Sequence, residues 1–232
     1  MFKKWEELPE FMRCDEVKKY YNSLNKKKFQ LLLKRIFDVV VSFIMIIVVS
    51  PILLIVGVWI KLDSEGPVFY RQERVTQYGR TFRIFKFRTM VANADKIGAL
   101  VTSREDSRIT KVGSLIRKCR LDEVPQLFNI LSGDMTFVGT RPEVKKYVDA
   151  YTNEMYATLL LPAGVTSEAS IKFKDEDEII SKYTEEGRTL DDVYLKEVLP
   201  IKMDYNLSDI LKFNFKHDMF TLIMTLKAII LR

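Results

Sequence analysis

The alternation of apolar and polar positions divides the chain into distinct stretches. In residues 1–30, Phe11, Val17, Tyr20, Tyr21, Leu24 and Phe29 fall on one side of a helical projection and lysines on the other. That pattern predicts an amphipathic helix lying on a surface. Residues 36–60 are then almost unbroken hydrocarbon: 25 residues with one charge, Asp38. A helix of that length, at ~1.5 Å per residue, can cross a ~30 Å bilayer core. Ser50-Pro51 interrupts it. Proline removes a backbone donor and crowds the preceding turn, so helices kink there. The run ahead of the break, 36–50, is short for a crossing. Both flanks are basic, Lys34-Arg35 before and Lys61 after. A helix that enters, bends at Ser50-Pro51 and returns would leave all three beside one layer of lipid phosphates, with Ser50 satisfying a carbonyl freed by the proline. A spanning helix kinked at Pro51 is the competing reading.

Beyond Lys61, residues 63–67 form a turn, and 68–70 and 82–88 alternate apolar and basic residues as strands of a small sheet would. Residues 91–100 and 111–120 are helical in pattern, and 135–138 is a short apolar strand. Eight carboxylates stand at 175–192 against Lys174, Lys182 and Arg188, a stretch that reads as a solvated face. The tail, 207–232, interleaves Ile210, Leu211, Phe215, Phe220, Ile223, Leu226 and Ile230 with charges, as an amphipathic helix on a bilayer would. His217, the only histidine, is assigned to that tail and not to catalysis.

Hydrophobic content of 47% with a net charge of +6 describes a folded chain and excludes a disordered one. The charge is concentrated: seven basic and no acidic residues lie between Lys18 and Arg35. Such a cluster beside an apolar run is drawn to anionic lipid. Nucleic acid is the other usual partner of a basic chain, and the apolar run argues against it. Cys14 and Cys119 make neither a metal pattern nor a disulfide framework, which suits a reducing compartment. Glu6, Glu7 and Glu10, with no early apolar run, predict no cleaved secretory signal.

Candidate chemistry lies between Arg71 and Glu143. Residues 71–120 carry thirteen basic and four acidic side chains, and the sequence 121–129, LDEVPQLFN, follows at once. Asp122 stands where a helix N-cap would, Pro125 falls in the first turn, and the helix is expected to stop at Ser132-Gly133. Arginines and a helix start supply positive potential for phosphate oxygens. A carboxylate kept ionised there can attack phosphorus or hold magnesium. The plainer reading is a capping Asp and a first-turn Glu in surface ion pairs. Gly139-Thr140-Arg141-Pro142-Glu143 presents an arginine on a loop stiffened by proline; it is either a phosphate clamp or an ordinary turn.

Together these blocks resemble the monotopic phosphoglycosyl transferases, or bacterial sugar transferases. The likeness is dense from Lys34 to about Thr166. It is carried by Lys34-Arg35-Ile36-Phe37-Asp38 with Ser50-Pro51, and by 66–75, GPVFYRQERV. The remaining blocks are 85–90, FKFRTM; 110–117, TKVGSLIR; 121–129; and 133–139, GDMTFVG, leading to Arg141-Pro142. The resemblance implies an α+β, mostly helical fold. A re-entrant membrane helix kinked at Ser-Pro, amphipathic interfacial helices and a small β element would surround a compact cytoplasmic catalytic domain. The expected divisions are 1–33 (amphipathic and basic), 34–62 (re-entrant helix), 63–204 (catalytic) and 205–232 (amphipathic tail). Residence on the cytoplasmic face of a bacterial inner membrane follows. The implied reaction is ping-pong with magnesium: Asp122 attacks a UDP-sugar, UMP leaves, and undecaprenyl phosphate takes the phosphosugar. Glu123 would assist as metal partner or base, and the metal would touch Asp122. Arg117, Arg141, Lys86, Arg88 and Pro142 would form the phosphate site. Partners are the donor, the acceptor and membrane lipids, with no nucleic acid and with room for a homodimer.

Three departures stand out. Thr76 replaces a frequent glycine, and Thr140 replaces the first proline of Pro-Arg-Pro. Residues 162–170, PAGVTSEAS, lack the arginine of the usual Arg-Pro-Gly-Ile-Thr-Gly, for which Lys172 or Lys174 is the candidate substitute. No multi-span bundle precedes the apolar run, as in the small form of the family. A basic membrane scaffold is the alternative from another class.

Overall fold

A computed structural model describes residues 2–92, 94, 106–173, 179, 180, 183 and 187–230. Most of the helix expected at 91–100, half of the acidic stretch at 175–192, and Lys174 lie outside the described residues.

The N-terminal segment is not a surface helix. Two 3-10 turns, Trp5–Glu7 and Glu10–Met12, lead into α1, Asp15–Asn25. This helix is amphipathic, but its apolar face turns into the protein. Val17, Tyr20, Tyr21 and Leu24 are buried in one cluster with Leu159, Leu160, Val198 and Met203. Periodicity alone cannot tell a core from a bilayer as the cover for such a face.

Helix α2 runs unbroken from Lys28 to Asp63, 36 residues, or about 54 Å at ~1.5 Å per residue. Among the described residues it is the one helix long and apolar enough to cross a membrane. It is not divided at Ser50-Pro51, for a local reason. Pro51 cannot donate to the carbonyl of Ile47, four residues back, and the Ser50 hydroxyl donates to that carbonyl at 2.8 Å.

Polar groups tie α2 to the same body of protein towards both ends. Lys34 is buried, donating to the Val138 carbonyl at 2.7 Å and pairing with Asp218. Arg35 donates to the carbonyls of Ile130 and Leu131 at 2.7 and 3.0 Å. Asp38 accepts from the Thr136 hydroxyl at 2.6 Å and the Phe137 N–H at 3.2 Å. Lys34 and Arg35 therefore meet protein, not lipid phosphates as expected. A charge in an apolar helix is tolerated only with such partners. At the far end the Arg88 guanidinium caps the helix. It donates to the carbonyls of Ser64 at 2.7 Å, Ile60 at 3.4 Å and Glu65, while Asp63 accepts from the Val112 N–H at 3.1 Å. The outer face of α2 is bare: Ile36, Val40, Ile47, Val48, Leu54 and Ile55 are all exposed.

Four short strands follow, β1 (Phe69–Tyr70), β2 (Glu73–Val75), β3 (Thr81–Arg83) and β4 (Lys86–Phe87). They nest as one antiparallel pair inside another: β2 with β3, and β1 with β4, where Tyr70 faces Lys86. The stretch expected as one strand at 82–88 is therefore two. Next come α3 (Lys111–Lys118), a 3-10 helix (Leu121–Gln126), α4 (Leu127–Ser132) and β5 (Met135–Val138). Gly133 ends α4 at φ 89°, and a Cβ there would lie 3.1 Å from the Arg35 guanidinium. Strand β5 pairs in parallel with β6 (Ala163–Thr166). Between them lie α5 (Lys145–Val148) and a 3-10 helix, Met155–Leu160. The chain ends in α6 (Glu168–Lys172), α7 (Leu190–Val193), a π turn (Tyr194–Val198), α8 (Leu199–Lys212) and α9 (Phe215–Ile230). The architecture is α+β and mostly helical.

Candidate active site

The chain leaves α3 through Arg120, held in the left-handed region at φ 56°. It then enters the 3-10 helix Leu121–Gln126, so Arg120 occupies the cap position and Asp122 sits in the first turn instead. Asp122 and Glu123 are both half-buried, yet they meet different surroundings. Glu123 accepts from Lys86 at 2.8 Å and from Arg141 at 2.5 and 3.4 Å. Among the described residues, no cation lies within ion-pairing distance of Asp122.

Charge separates the pair further. Burial raises the proton affinity of Asp122, and the Glu123 carboxylate adds to this, with Lys86 and Arg117 opposing. Burial works the same way on Glu123, but Arg141 and Lys86 outweigh it and hold that carboxyl well below the usual range. Lys86 is pulled down by burial, with Arg141 adding to it and Glu123 opposing. Glu123 is thus a fixed anion that organises two cations. Asp122 is the more basic carboxylate with free oxygens.

The cations are themselves positioned. The buried Asn129 amide accepts from the Phe85 N–H at 2.7 Å and donates to the Arg83 carbonyl at 3.1 Å, fixing the link from β3 to Lys86 on β4. Arg74 donates to the Pro142 carbonyl at 3.2 Å, and the Val75 N–H to the Glu143 carbonyl at 2.9 Å. The Glu143 carboxylate accepts from the Tyr194 hydroxyl at 2.5 Å. Residues 141–143 are therefore held from β2 and from the π turn. Sequence reasoning gave no role to Asn129, Arg74 or Tyr194. Asn129 lay inside a quoted block, and a buried amide closing a polar motif was its one signal.

The structure brings together Asp122, Glu123, Lys86 and Arg141, with Arg117 on the last turn of α3 close enough to favour ionised Asp122. Arg88 does not join them; its guanidinium is buried at the end of α2. Pro142 is buried behind Arg141 with its carbonyl engaged by Arg74, so it shapes the loop and offers nothing to a ligand. Lys172 is taken up by Glu168 within α6. Ser50 and Pro51 lie on α2, and the site rests on that part of the helix. Leu121 joins the cluster containing Leu53, and Val124 the one containing Val49.

One of the departures has a local explanation. The Thr76 hydroxyl donates to the Asp134 carbonyl at 2.6 Å and accepts from the Ala163 N–H at 3.1 Å, a bridge that glycine cannot make. The Thr140 carbonyl accepts from the Gly164 N–H at 2.8 Å, a backbone bond that proline would make equally, so nothing in the structure explains that replacement. A Cβ on Gly164 would come within 2.1 Å of the Gly139 carbonyl, so the backbone there admits no side chain.

Comparison with known proteins gives this geometry its setting. The sequence profile of the bacterial sugar transferases matches residues 29–232. The chain belongs to the bacterial sugar transferase family. Three curated relatives carry different sugars in their names. The UDP-N-acetylgalactosamine-undecaprenyl-phosphate N-acetylgalactosaminephosphotransferase of Aeromonas hydrophila is 45% identical over 49% of this chain and 28% of its own. The UDP-glucose:undecaprenyl-phosphate glucose-1-phosphate transferase of Xanthomonas campestris pv. campestris is 43% identical over 41% of this chain and 20% of its own. The undecaprenyl-phosphate galactose phosphotransferase of Salmonella typhimurium is 36% identical over 47% of this chain and 26% of its own. This bacterial sugar transferase spans less than a third of the length of those three relatives. Its first 28 residues lie outside the family match, although α1 is built into its core.

Proposed function

We propose that this chain moves a sugar phosphate from a UDP-sugar to undecaprenyl phosphate on the cytoplasmic face of a bacterial inner membrane, in two steps through Asp122. The carrying observation is the division of labour between adjacent carboxylates. Glu123 is committed to Lys86 and Arg141, which leaves Asp122 unpaired and more basic than usual. A carboxylate oxygen of Asp122 attacks the β-phosphorus of the donor. The bond from that phosphorus to the bridging oxygen breaks, and UMP leaves with the electron pair. A phosphate oxygen of the acceptor then attacks the aspartyl-bound phosphorus. The acyl phosphate bond breaks and Asp122 is restored as a carboxylate. Phosphoryl transfer asks mainly for positioning and charge stabilisation. Lys86, Arg141 and Arg117 supply the positive field, while Glu123 keeps the first two in place.

Magnesium fits this site. It binds through one or two carboxylates plus substrate phosphates and water, and Asp122 offers unpaired oxygens, with Glu123 adjacent. When bound it would neutralise diphosphate charge.

The acceptor is a lipid, and the site leans on the apolar helix through Leu121 and Val124. Both ends of α2 are bonded to one body of protein, which favours a helix that enters the bilayer and returns over one that crosses it. UMP release from a panel of UDP-sugars, with magnesium and undecaprenyl phosphate, tests the reading. Release with one donor, abolished in Asp122→Asn, is the expected result. A folded protein that releases UMP from none of them would overturn it in favour of a membrane scaffold. Free sugar phosphate formed without acceptor would make it a hydrolase.

A further inference from the structure

Away from Asp122, three helices bring the only histidine together with two carboxylates. Glu168 comes from α6, Asp209 from α8 and His217 from α9. One ligand atom from each lies within 4.8 Å of the others. His217 Nε2 is 3.5 Å from Asp209 Oδ1 and 3.9 Å from Glu168 Oε2. Ligands at ~2.1 Å from a tetrahedral zinc ion stand about 3.4 Å apart, so these separations are near the edges of such a site.

The remaining oxygens are already engaged, which aims the ligand atoms. Glu168 Oε1 pairs with Lys172, leaving Oε2 towards His217. Asp209 Oδ2 accepts from the Glu168 N–H at 3.3 Å, leaving Oδ1 towards His217. Asp209 Oδ1 and His217 Nε2 are both buried without a hydrogen-bond partner among the described residues. Supporting groups that fix ligand orientation are usual around protein-bound metals.

An independent observation comes from the adjoining cavity. Asp209 and His217 line it together with Asn206, Asp218 and Lys34. Asn206 is 4% exposed, and its Oδ1 has no hydrogen-bond partner among the described residues. A buried acceptor without a donor is costly, and a bound cation with its water answers that cost. Lys34 does not, because it is committed to Val138 and Asp218.

We infer that Glu168, Asp209 and His217 bind a divalent metal ion of the zinc class beside the cavity that Asn206 lines. Imidazole with carboxylates suits zinc, whereas magnesium and calcium take oxygen alone. The ion fastens α6 and α9 to α8. It thereby holds the divergent 162–170 segment against the tail, where Thr166 and Thr225 already share a hydrogen bond at 2.8 Å. Without an ion, burial and the nearby Glu168 raise the proton affinity of Asp209, with Asp218 adding to this. A hydrogen bond from Asp209 holds the Glu168 carboxyl low, with Lys172 adding to this. Metal takes the place of the proton between the carboxylates.

Full-length detergent-solubilised protein, stripped with chelator and dialysed against Zn²⁺, is expected to retain one zinc per chain by mass spectrometry. Co²⁺ in its place should show the intense visible bands of a low-symmetry site. Loss of an outer-shell partner alone weakens metal about 10–100-fold, so His217→Ala should weaken zinc by about 100-fold or more in competition with a chromophoric chelator. Asp209→Asn should do the same, and serves if His217→Ala does not fold. Asp122→Asn should keep its zinc. Three results would overturn the inference: no retained zinc, affinity unchanged in the folded variant, or zinc lost with Asp122→Asn. The first leaves a proton-sharing carboxylate pair, and the last moves the ion to the catalytic carboxylates.

Discussion

Glu123 and Asp122 are neighbours in sequence and opposites in chemistry, and that difference sets the pH response. Burial and Glu123 raise the proton affinity of Asp122, so the acid limb of kcat should lie above the ordinary aspartate value of about 3.9. Glu123→Gln removes the neighbouring charge and releases Lys86 and Arg141 towards Asp122. The limb of the residual activity should then move to lower pH in a pH–rate profile; a move upward would contradict the assignment. Stability carries the opposite sign for Glu123. Its carboxyl is held low by Arg141 and Lys86, so its contribution is full above about pH 4.3 and fades as pH falls towards the folded value. Thr76 gives a second test at this scale. Thr76→Val keeps the volume and strips the bridge between Asp134 and Ala163. Leaving those backbone groups unsatisfied should cost about 1–3 kcal/mol, read as a lower melting temperature. The sequence pointed to the carboxylates because LDEVPQ follows a cationic stretch. It could not say which of the two the cations would choose, since that depends on Lys86 of β4 and Arg141 of a distant loop converging.

Arg88 shows why an element must be read with its neighbours. In the sequence it is one of several arginines ahead of Asp122. In the fold it holds the carbonyl of Ile60 in the last turn of α2 and those of Ser64 and Glu65 just beyond it. Arg88→Lys keeps the charge and loses the fork. It should destabilise the protein by about 2 kcal/mol, while KM for the donor stays within about twofold. A tenfold rise in KM without a change in melting temperature would restore Arg88 to the phosphate site. The same dependence on neighbours explains α1, whose amphipathic face was legible and its partner was not. It also explains 82–88, whose alternation was legible as strand but not as two strands, because Asn129 pins the turn between them. Elements marked by local chemistry were plain from the start. The apolar length of α2, the Gly133 stop after α4 and the strand at 135–138 all appear where the pattern put them.

For the whole molecule the question is sidedness, and the charges inside α2 bear on it. Lys34, Arg35 and Asp38 are bonded to α4, β5 and α9, and Arg88 and Val112 hold the region of Ile60–Asp63. If α2 crossed the bilayer, one of these sets would have to break and leave its charges or carbonyls in hydrocarbon, at several kcal/mol per group. Under the proposed re-entrant reading both sets stay intact, and the Ser50 hydroxyl covers the carbonyl that the proline abandons. The exposed apolar side chains of α2, with Phe220, Ile223 and Leu226 of α9, then belong to the lipid. Residues near the two ends of α2 should therefore label from the same side. In a Cys14→Ser, Cys119→Ser background, Glu10→Cys and Glu65→Cys change exposed side chains. Both should react with an impermeant maleimide in inverted membrane vesicles, and neither in intact spheroplasts. Val48→Cys, on the bare middle of α2, should resist the reagent in both. Glu10→Cys labelled from outside and Glu65→Cys from inside would make α2 a spanning helix and require the polar ties at one end to be remade in the membrane.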